Sequence, residues 1–344
     1  MTNVAPTADL TEVFPTYLSH LEEADEYAAV DVVTALLDRG VPAEPILLDL
    51  VAPAQAEVGE LWARNEWSVA QEHAATHISD RVVAAVSAYV NPRPTRGRIV
   101  VACMDGEWHA LPARLVAEVL RLRGWQVTFL GASVPAAHLV SYLQRHDAHA
   151  VALACALPMR LPHAHRMIEA CRRSDVPVLV GGRGFGLDGR WAGRLGVAWA
   201  PDAPSAAELV ADERTLRRVP AADLAHLADD EYAGLLRRRA ELIDSALVDL
   251  RGRFPGVADY TPAQLDSTVA DLGYLLDFLA AAVYVDDAAL FTEFVEWLAT
   301  ILASRGVPVA SVAHTLEHFA RALRDFPRAG RFLAAGRPAV TVRR

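Results

Sequence analysis

From about residue 98 to residue 213, short continuous apolar runs alternate with amphipathic stretches of helix length, and few folds accept that pattern. The spacing predicts strands at 98–103, 126–130, 149–154, 177–180 and 196–200, with helices near 110–123, 135–145, 160–173, 187–194 and 204–213. Strands that are apolar on both faces, each followed by a helix, call for a parallel sheet covered on both sides. Residues 97–213 therefore read as a doubly wound, Rossmann-like α/β domain. Ligands of such sheets bind beyond the carboxyl ends of the strands, so chemistry is expected in the loops after residues 103, 130, 154 and 180.

The flanks carry a different rhythm. In residues 8–90 three stripes repeat at helical spacing: Tyr27, Val30, Val33 and Leu37, ending at Gly40; Leu47, Val51, Ala54, Val58 and Leu61, with Pro53 predicting a kink; and Ala74, Ile78, Val82, Ala85 and Tyr89. Four short-looped helices, an N-terminal bundle acting as a cap, are expected. Residues 91–97, Asn-Pro-Arg-Pro-Thr-Arg-Gly, read as a linker. Beyond residue 220 no strand-like alternation remains, and helices at 229–253, 262–284, 286–304, 308–324 and 328–335 make residues 220–338 an all-helical domain.

Composition narrows the function. The 344 residues exceed one ordinary domain, and 53% hydrophobic with 22% charged residues is the balance of a folded chain; no apolar run approaches the ~20 residues of a membrane span. The first ten residues have neither a basic start nor an apolar core, so no secretory signal and a cytoplasmic location are expected. Cys103, Cys155 and Cys171 are an odd, clustered set that predicts free thiols. All 33 basic residues are arginine, which excludes Schiff-base and P-loop chemistry on a lysine. A net charge of −10 opposes direct binding to DNA or to an anionic membrane.

The loop after the first strand contains Glu107-Trp108-His109. A carboxylate two residues before a histidine can accept one ring N–H and leave the other nitrogen for a metal, although the triplet alone also suits an ordinary polar loop. Together with Leu130-Gly131-Ala132-Ser133 after the second strand and Val180-Gly181-Gly182 after the fourth, the chain resembles the cobalamin-binding domain family. The resemblance implies that His109 is the lower cobalt ligand and that Glu107, Ser133, Ala154, Gly181 and Gly182 line the cofactor and its displaced nucleotide tail. Pro112 stands where the family has glycine, and Ala154-Cys155-Ala156 lacks the family's serine.

Trp62, followed after nine residues by Glu72-His73, resembles the cap of the cobalamin-dependent photoreceptors that repress carotenoid genes. That likeness implies adenosylcobalamin, with Trp62, Glu72 and His73 as its upper wall. Where those repressors have a histidine after the tryptophan, this chain has Ala63, leaving His73 or His77 to cap the metal after light; the same two histidines are a remote zinc pair. The repressors' DNA-binding helix-turn-helix is expected to be missing.

The last third carries Tyr274, Phe278, Tyr284, Phe291, Phe294, Trp297 and Phe319, with Arg237, Arg238, Arg239, Arg321 and Arg324 available for carboxylates. An aromatic stripe of this kind is ordinarily core. The order of cap, cobalamin domain and helical domain looks like the photocobilins, which implies a globin- or phycocyanin-like fold binding biliverdin or a related bilin, without a thioether because residues 220–344 have no cysteine. Haem on His314 or His318 is the rival. The expected protein is a light sensor and not an enzyme, a homodimer whose output partner the sequence does not name. A corrinoid methyl carrier serving methyltransferases and a degenerate cobalamin-fold scaffold are the alternatives.

Overall fold

The computed structural model describes residues 10–341. The chain divides into two compact units, one made of residues up to Ala156 together with His163–Ala221, the other of Leu157–Pro162 and the residues from Ala222 onward.

The first unit begins with α1 (Leu10–Glu22) and α2 (Glu26–Asp38). Next, α3 (Ala43–Pro45) passes through a π turn, Ile46–Val51, into α4 (Ala52–Ala63), and α5 (Val69–Val90) follows. Residues 8 and 9 of the expected cap lie outside the described residues. Local chemistry sets the helix starts: Asp25 accepts the Ala28 N–H, and Ser68 and Gln71 form a reciprocal capping box at the head of α5. The irregularity expected at Pro53 takes the form of the π turn before it, where the Ala52 N–H reaches back to Leu47 O. Val33, Leu36, Leu47, Leu50, Val58 and Val82 fill the bundle core. Tyr27 and Tyr89 depart from the expected stripes: both are exposed in terminal turns, and the Tyr89 hydroxyl donates to Asp38 Oδ1 of α2 at 2.8 Å.

Then come β1 (Arg98–Cys103), α6 (Ala110–Leu122), β2 (Gln126–Phe129), α7 (Ala136–His146), β3 (Ala150–Ala154), α8 (Leu161–Arg173), β4 (Val178–Gly181), α9 (Arg190–Arg194), β5 (Ala198–Ala200), α10 (Ala203–Ala211) and α11 (Glu213–Arg218). The sheet is wholly parallel in the order β2-β1-β3-β4-β5. The order in which strands are added reverses between β1 and β3, where a doubly wound sheet opens its ligand crevice. The helix expected at 187–194 is shorter because Gly186 and Gly189 adopt φ of +85° and +72°, outside helical space. The one expected at 204–213 breaks at Asp212, whose carboxylate accepts the Thr215 N–H and starts α11.

Helix α6 joins cap to sheet. Its Leu111 and Leu115 belong to the apolar core of the bundle, and Ser87 of α5 donates to Glu118 Oε2 at 2.8 Å. Glu118, with 2% of its side chain exposed, also binds the guanidinium groups of Arg114 and Arg121.

The second unit contains α12 (Glu231–Arg253), α13 (Pro262–Val285), α14 (Ala288–Ser304), α15 (Ala310–Ala322) and α16 (Pro327–Thr341). Leu242, Leu279, Phe291, Val295, Leu316 and Phe319 are buried, and Phe278 stacks on Phe294 with ring centroids 3.7 Å apart. Glu231 accepts the N–H groups of Arg328 and Ala329, capping the first turn of α16, which runs longer than expected. Against the expectation of no span-length apolar segment, α13 is long and apolar enough to cross a membrane by length and composition; Asp271 and Asp277 interrupt it, and 67% of its apolar window is buried within the protein.

Candidate functional site

The sheet's crevice is built by one buried carboxylate. Glu107, fully buried in the loop after β1, accepts the His109 N–H at 2.9 Å and contacts His109 Nδ1 at 2.5 Å through Oε1; its Oε2 accepts the Ala156 N–H at 2.6 Å. One side chain thus ties the loop after β1 to the loop after β3 across the point where the sheet reverses. Burial alone would push the Glu107 carboxyl up, but the His109 ring and the N–H groups of His109 and Ala156 hold it below its ordinary value. The His109 imidazole is raised by its hydrogen bond to Glu107 against the opposing effect of burial, with the charges of Glu107 and Glu72 adding to the rise. With Nδ1 engaged, Nε2 is the nitrogen left to coordinate, on a ring whose side chain is 57% exposed.

The other loop residues act as braces. Ser133 Oγ accepts the Gly106 N–H at 3.1 Å and its own N–H donates to Glu107 O at 2.8 Å, so this hydroxyl, expected at the cofactor, fixes the loop that carries Glu107. Ala154 ends β3 half-buried, and two residues on the Ala156 N–H donates to Glu107 Oε2. The glycine pair also has neighbours within the protein. At Gly182, φ is +96° and an added Cβ would stand 2.4 Å from Cys155 O, so packing inside the protein already demands a glycine here; at Gly181 a Cβ would meet only Ala200 O at 3.4 Å. Pro112 lies in the first turn of α6, where a missing N–H costs nothing.

The cap contributes a second carboxylate–imidazole pair. Glu72 Oε2 lies 2.5 Å from His73 Nδ1, and Glu72 Oε1 accepts from Thr76 Oγ1 at 2.9 Å, which in turn accepts from Gln55 Nε2 of α4 at 2.6 Å. Trp62 sits half-buried in the last turn of α4. The structure therefore brings Trp62's helix and the Glu72-His73 turn together by a hydrogen-bonded chain, and Glu72 is near enough for its charge to act on His109. Among the described residues no group of three or more His, Cys, Asp or Glu side chains forms a metal cluster, and the His73/His77 pair gains no third zinc ligand. The node at Glu118, Ser87, Arg114 and Arg121 escaped sequence reading because its i, i+3 and i, i+4 charges look like a solvated helix face.

In the second unit the arginines expected to be available are already paired: Arg237 with Asp230, Arg238 with Glu241, Arg239 with Asp277, Arg321 with Asp249 and Arg324 with Asp325. Phe278, Tyr284, Phe291, Phe294 and Phe319 are core, whereas Tyr274 and Trp297 are exposed. His314 Nε2 lies 2.5 Å from Asp249 Oδ2, and His318 contacts Asp249 through Nδ1 and Ser245 through Nε2. Both ring nitrogens of His318 thus have protein neighbours, and for His314 the neighbour lies at Nε2.

Comparison with known proteins agrees with this geometry. Residues 97–210 match a family described as B12 binding domain, and residues 14–87 match a second family with the same description. The HTH-type transcriptional repressor CarA of Myxococcus xanthus is 30% identical over 118 residues, 34% of this chain and 41% of the repressor, so the chain spans well under half of that relative. The trimethylamine corrinoid protein of Methanosarcina barkeri is 21% identical over 197 residues, 55% of this chain and 90% of that protein. The solved structure of the Methanosarcina barkeri monomethylamine corrinoid protein superposes with a TM-score of 0.52 at 18% identity, over 59% of this chain and 98% of that one, a likeness of fold. The helical bundle and the parallel sheet of this chain are thus a pair of B12-binding domains of the cobalamin-binding family.

Proposed function

We propose that the cap and sheet bind adenosylcobalamin between them and that the chain is a light sensor rather than an enzyme. The observation that carries this reading is the Glu107–His109 pair at the sheet's reversal point, with an oriented ring and Nε2 left for cobalt. Bound cobalamin would supply a light-sensitive cobalt–carbon bond. The protein's own part is to hold and orient: His109 from below, fixed by Glu107, and Trp62, Glu72 and His73 from above, fixed by Thr76 and Gln55. The similarity to an HTH-type repressor supports a sensing role.

For the helical unit we propose a bilin such as biliverdin. The exposed Tyr274 and Trp297 support that reading, while its propionates would have to displace the acidic partners of the arginines. A corrinoid methyl carrier is the second reading, favoured by a similarity that runs through both cap and sheet of the trimethylamine corrinoid protein. Absorption spectra of the full chain with adenosylcobalamin, biliverdin or both, in the dark and after illumination, test the proposal. Light-driven change of bound adenosylcobalamin is expected; binding of methylcobalamin alone would favour the carrier, and a biliverdin spectrum identical to that of free pigment would remove the bilin.

A further inference from the structure

The loop after β4 carries one uncommitted cation at the edge where the sheet binds its ligand. Gly182 and Gly186, with φ of +96° and +85°, bracket the short turn Arg183–Phe185; because β1 and β4 flank β3 in a parallel sheet, this turn and the His109 loop share one edge. The turn is pinned to the exit of β3. Gly184 N–H donates to Cys155 O at 2.9 Å, Gly186 N–H donates to Arg183 O at 3.0 Å, and the Phe185 ring is wholly buried. On that fixed backbone the Arg183 side chain is exposed. The one acid of residues 182–190, Asp188, is committed to Arg190, accepting its N–H at 3.2 Å and pairing with its Nε at 3.3 Å. Among the described residues Arg183 has no carboxylate partner, whereas arginines that brace this unit are paired, Arg123 with Glu44 and Arg217 with Asp175. The Arg183 guanidinium thus adds nothing to the fold through an ion pair and is available to an anion.

The chemistry of the cofactor names that anion. Cobalamin's amide side chains are neutral, and apart from the corrin ring, whose charge the cobalt neutralises, its one anionic group is the phosphodiester of the nucleotide tail. With His109 on the cobalt, the tail is displaced and its phosphate needs a counter-charge. Arginine's planar fork matches phosphate oxygens, and its carrier turn begins next to Gly181, where an added Cβ would meet only Ala200 O, so the chain leaves room beside it. We infer that Arg183 pairs with the phosphodiester of the tail and makes the site select complete cobalamin over corrinoids that lack the nucleotide. This inference rests on the cobalamin reading above. It is a binding contact alone, in which no covalent bond forms or breaks.

Equilibrium dialysis of the full chain against three probes tests it: hydroxocobalamin; cobinamide phosphate, which keeps a phosphate without the base; and cobinamide, which has neither. Arg183→Gln should weaken hydroxocobalamin and cobinamide phosphate by about tenfold, the scale of a charge-assisted hydrogen bond partly screened by water, and leave cobinamide within about twofold of native. Unchanged cobinamide binding separates a lost contact from a damaged fold. Arg183→Lys should recover part of the loss, since the charge remains and the fork does not. Native affinity for hydroxocobalamin should fall as salt rises, and fall less in Arg183→Gln. Equal losses for all three probes, no loss for any, or a loss for hydroxocobalamin alone overturns the assignment while leaving the cobalamin reading intact. If cobinamide binds too weakly to measure, the salt dependence decides: a smaller dependence in Arg183→Gln supports the contact, and an equal one overturns it. No binding of hydroxocobalamin by native protein overturns both this inference and the reading beneath it.

Discussion

At the scale of single residues, the site depends on how tightly two imidazoles are aimed. His109→Ala removes the nitrogen that the β1 loop presents, so cobalamin should bind without a lower protein ligand and its spectrum should shift; an unchanged spectrum and affinity would refute the assignment. Glu107→Gln keeps the size but loses the charge on Nδ1, and affinity should fall by about 10- to 100-fold, the usual effect of losing the group behind a ligating histidine. Glu72→Ala should weaken adenosylcobalamin more than methylcobalamin, because only the former has ribose hydroxyls on its upper-face group for a carboxylate to accept from; equal losses would favour the methyl carrier. Glu107 and His109 were legible in the sequence because their chemistry is local, two residues apart. The protein partners of Ser133 and Gly182 were not legible, because what they touch, Gly106 and Cys155, is 27 residues away in each case.

At the scale of elements, α6 is both the helix that starts at the site and the helix that docks the cap. Its Glu118 is buried between Arg114 and Arg121 and takes the Ser87 hydroxyl from α5. Removing one member of a buried ionic cluster leaves uncompensated charge, so Glu118→Ala should cost about 3 kcal/mol, the lower end of the range because both guanidinium groups keep some water contact. Urea unfolding measures it, and a double-mutant cycle with Ser87→Ala should show coupling of more than about 0.5 kcal/mol; simple additivity would mean that the 2.8 Å contact carries nothing. The strands of the sheet were readable to within two residues since continuous apolar runs leave no second interpretation. The short α9 was not, because the positive-φ Gly189 just before it lies against the Trp199 ring of β5, a contact outside the helix's own sequence pattern.

At the scale of the whole molecule, the three cysteines make a natural gauge of one unit. Cys103, Cys155 and Cys171 are free and buried, all in the unit that carries the cap and sheet, and residues from Ala222 onward have none. Burial pushes the thiols of Cys103 and Cys171 up to about 12, with the charge of Glu107 adding to the effect at Cys103, so at pH 8 almost no thiolate is present to react. Labelling by iodoacetamide should therefore be silent in native protein and should appear only as the first unit unfolds. A ligand that binds the folded site shifts that transition by mass action: cobalamin at 100 times its dissociation constant adds about 2.7 kcal/mol. At an ordinary urea dependence of about 1–3 kcal/mol per molar, the labelling midpoint should rise by about 1 M or more. Substituting His109 by Ala should reduce that rise, since less binding energy is then coupled to folding. Rapid labelling of the native chain would contradict the buried thiols, and an unmoved midpoint at saturating cobalamin would place the cofactor somewhere other than the crevice that Glu107 closes.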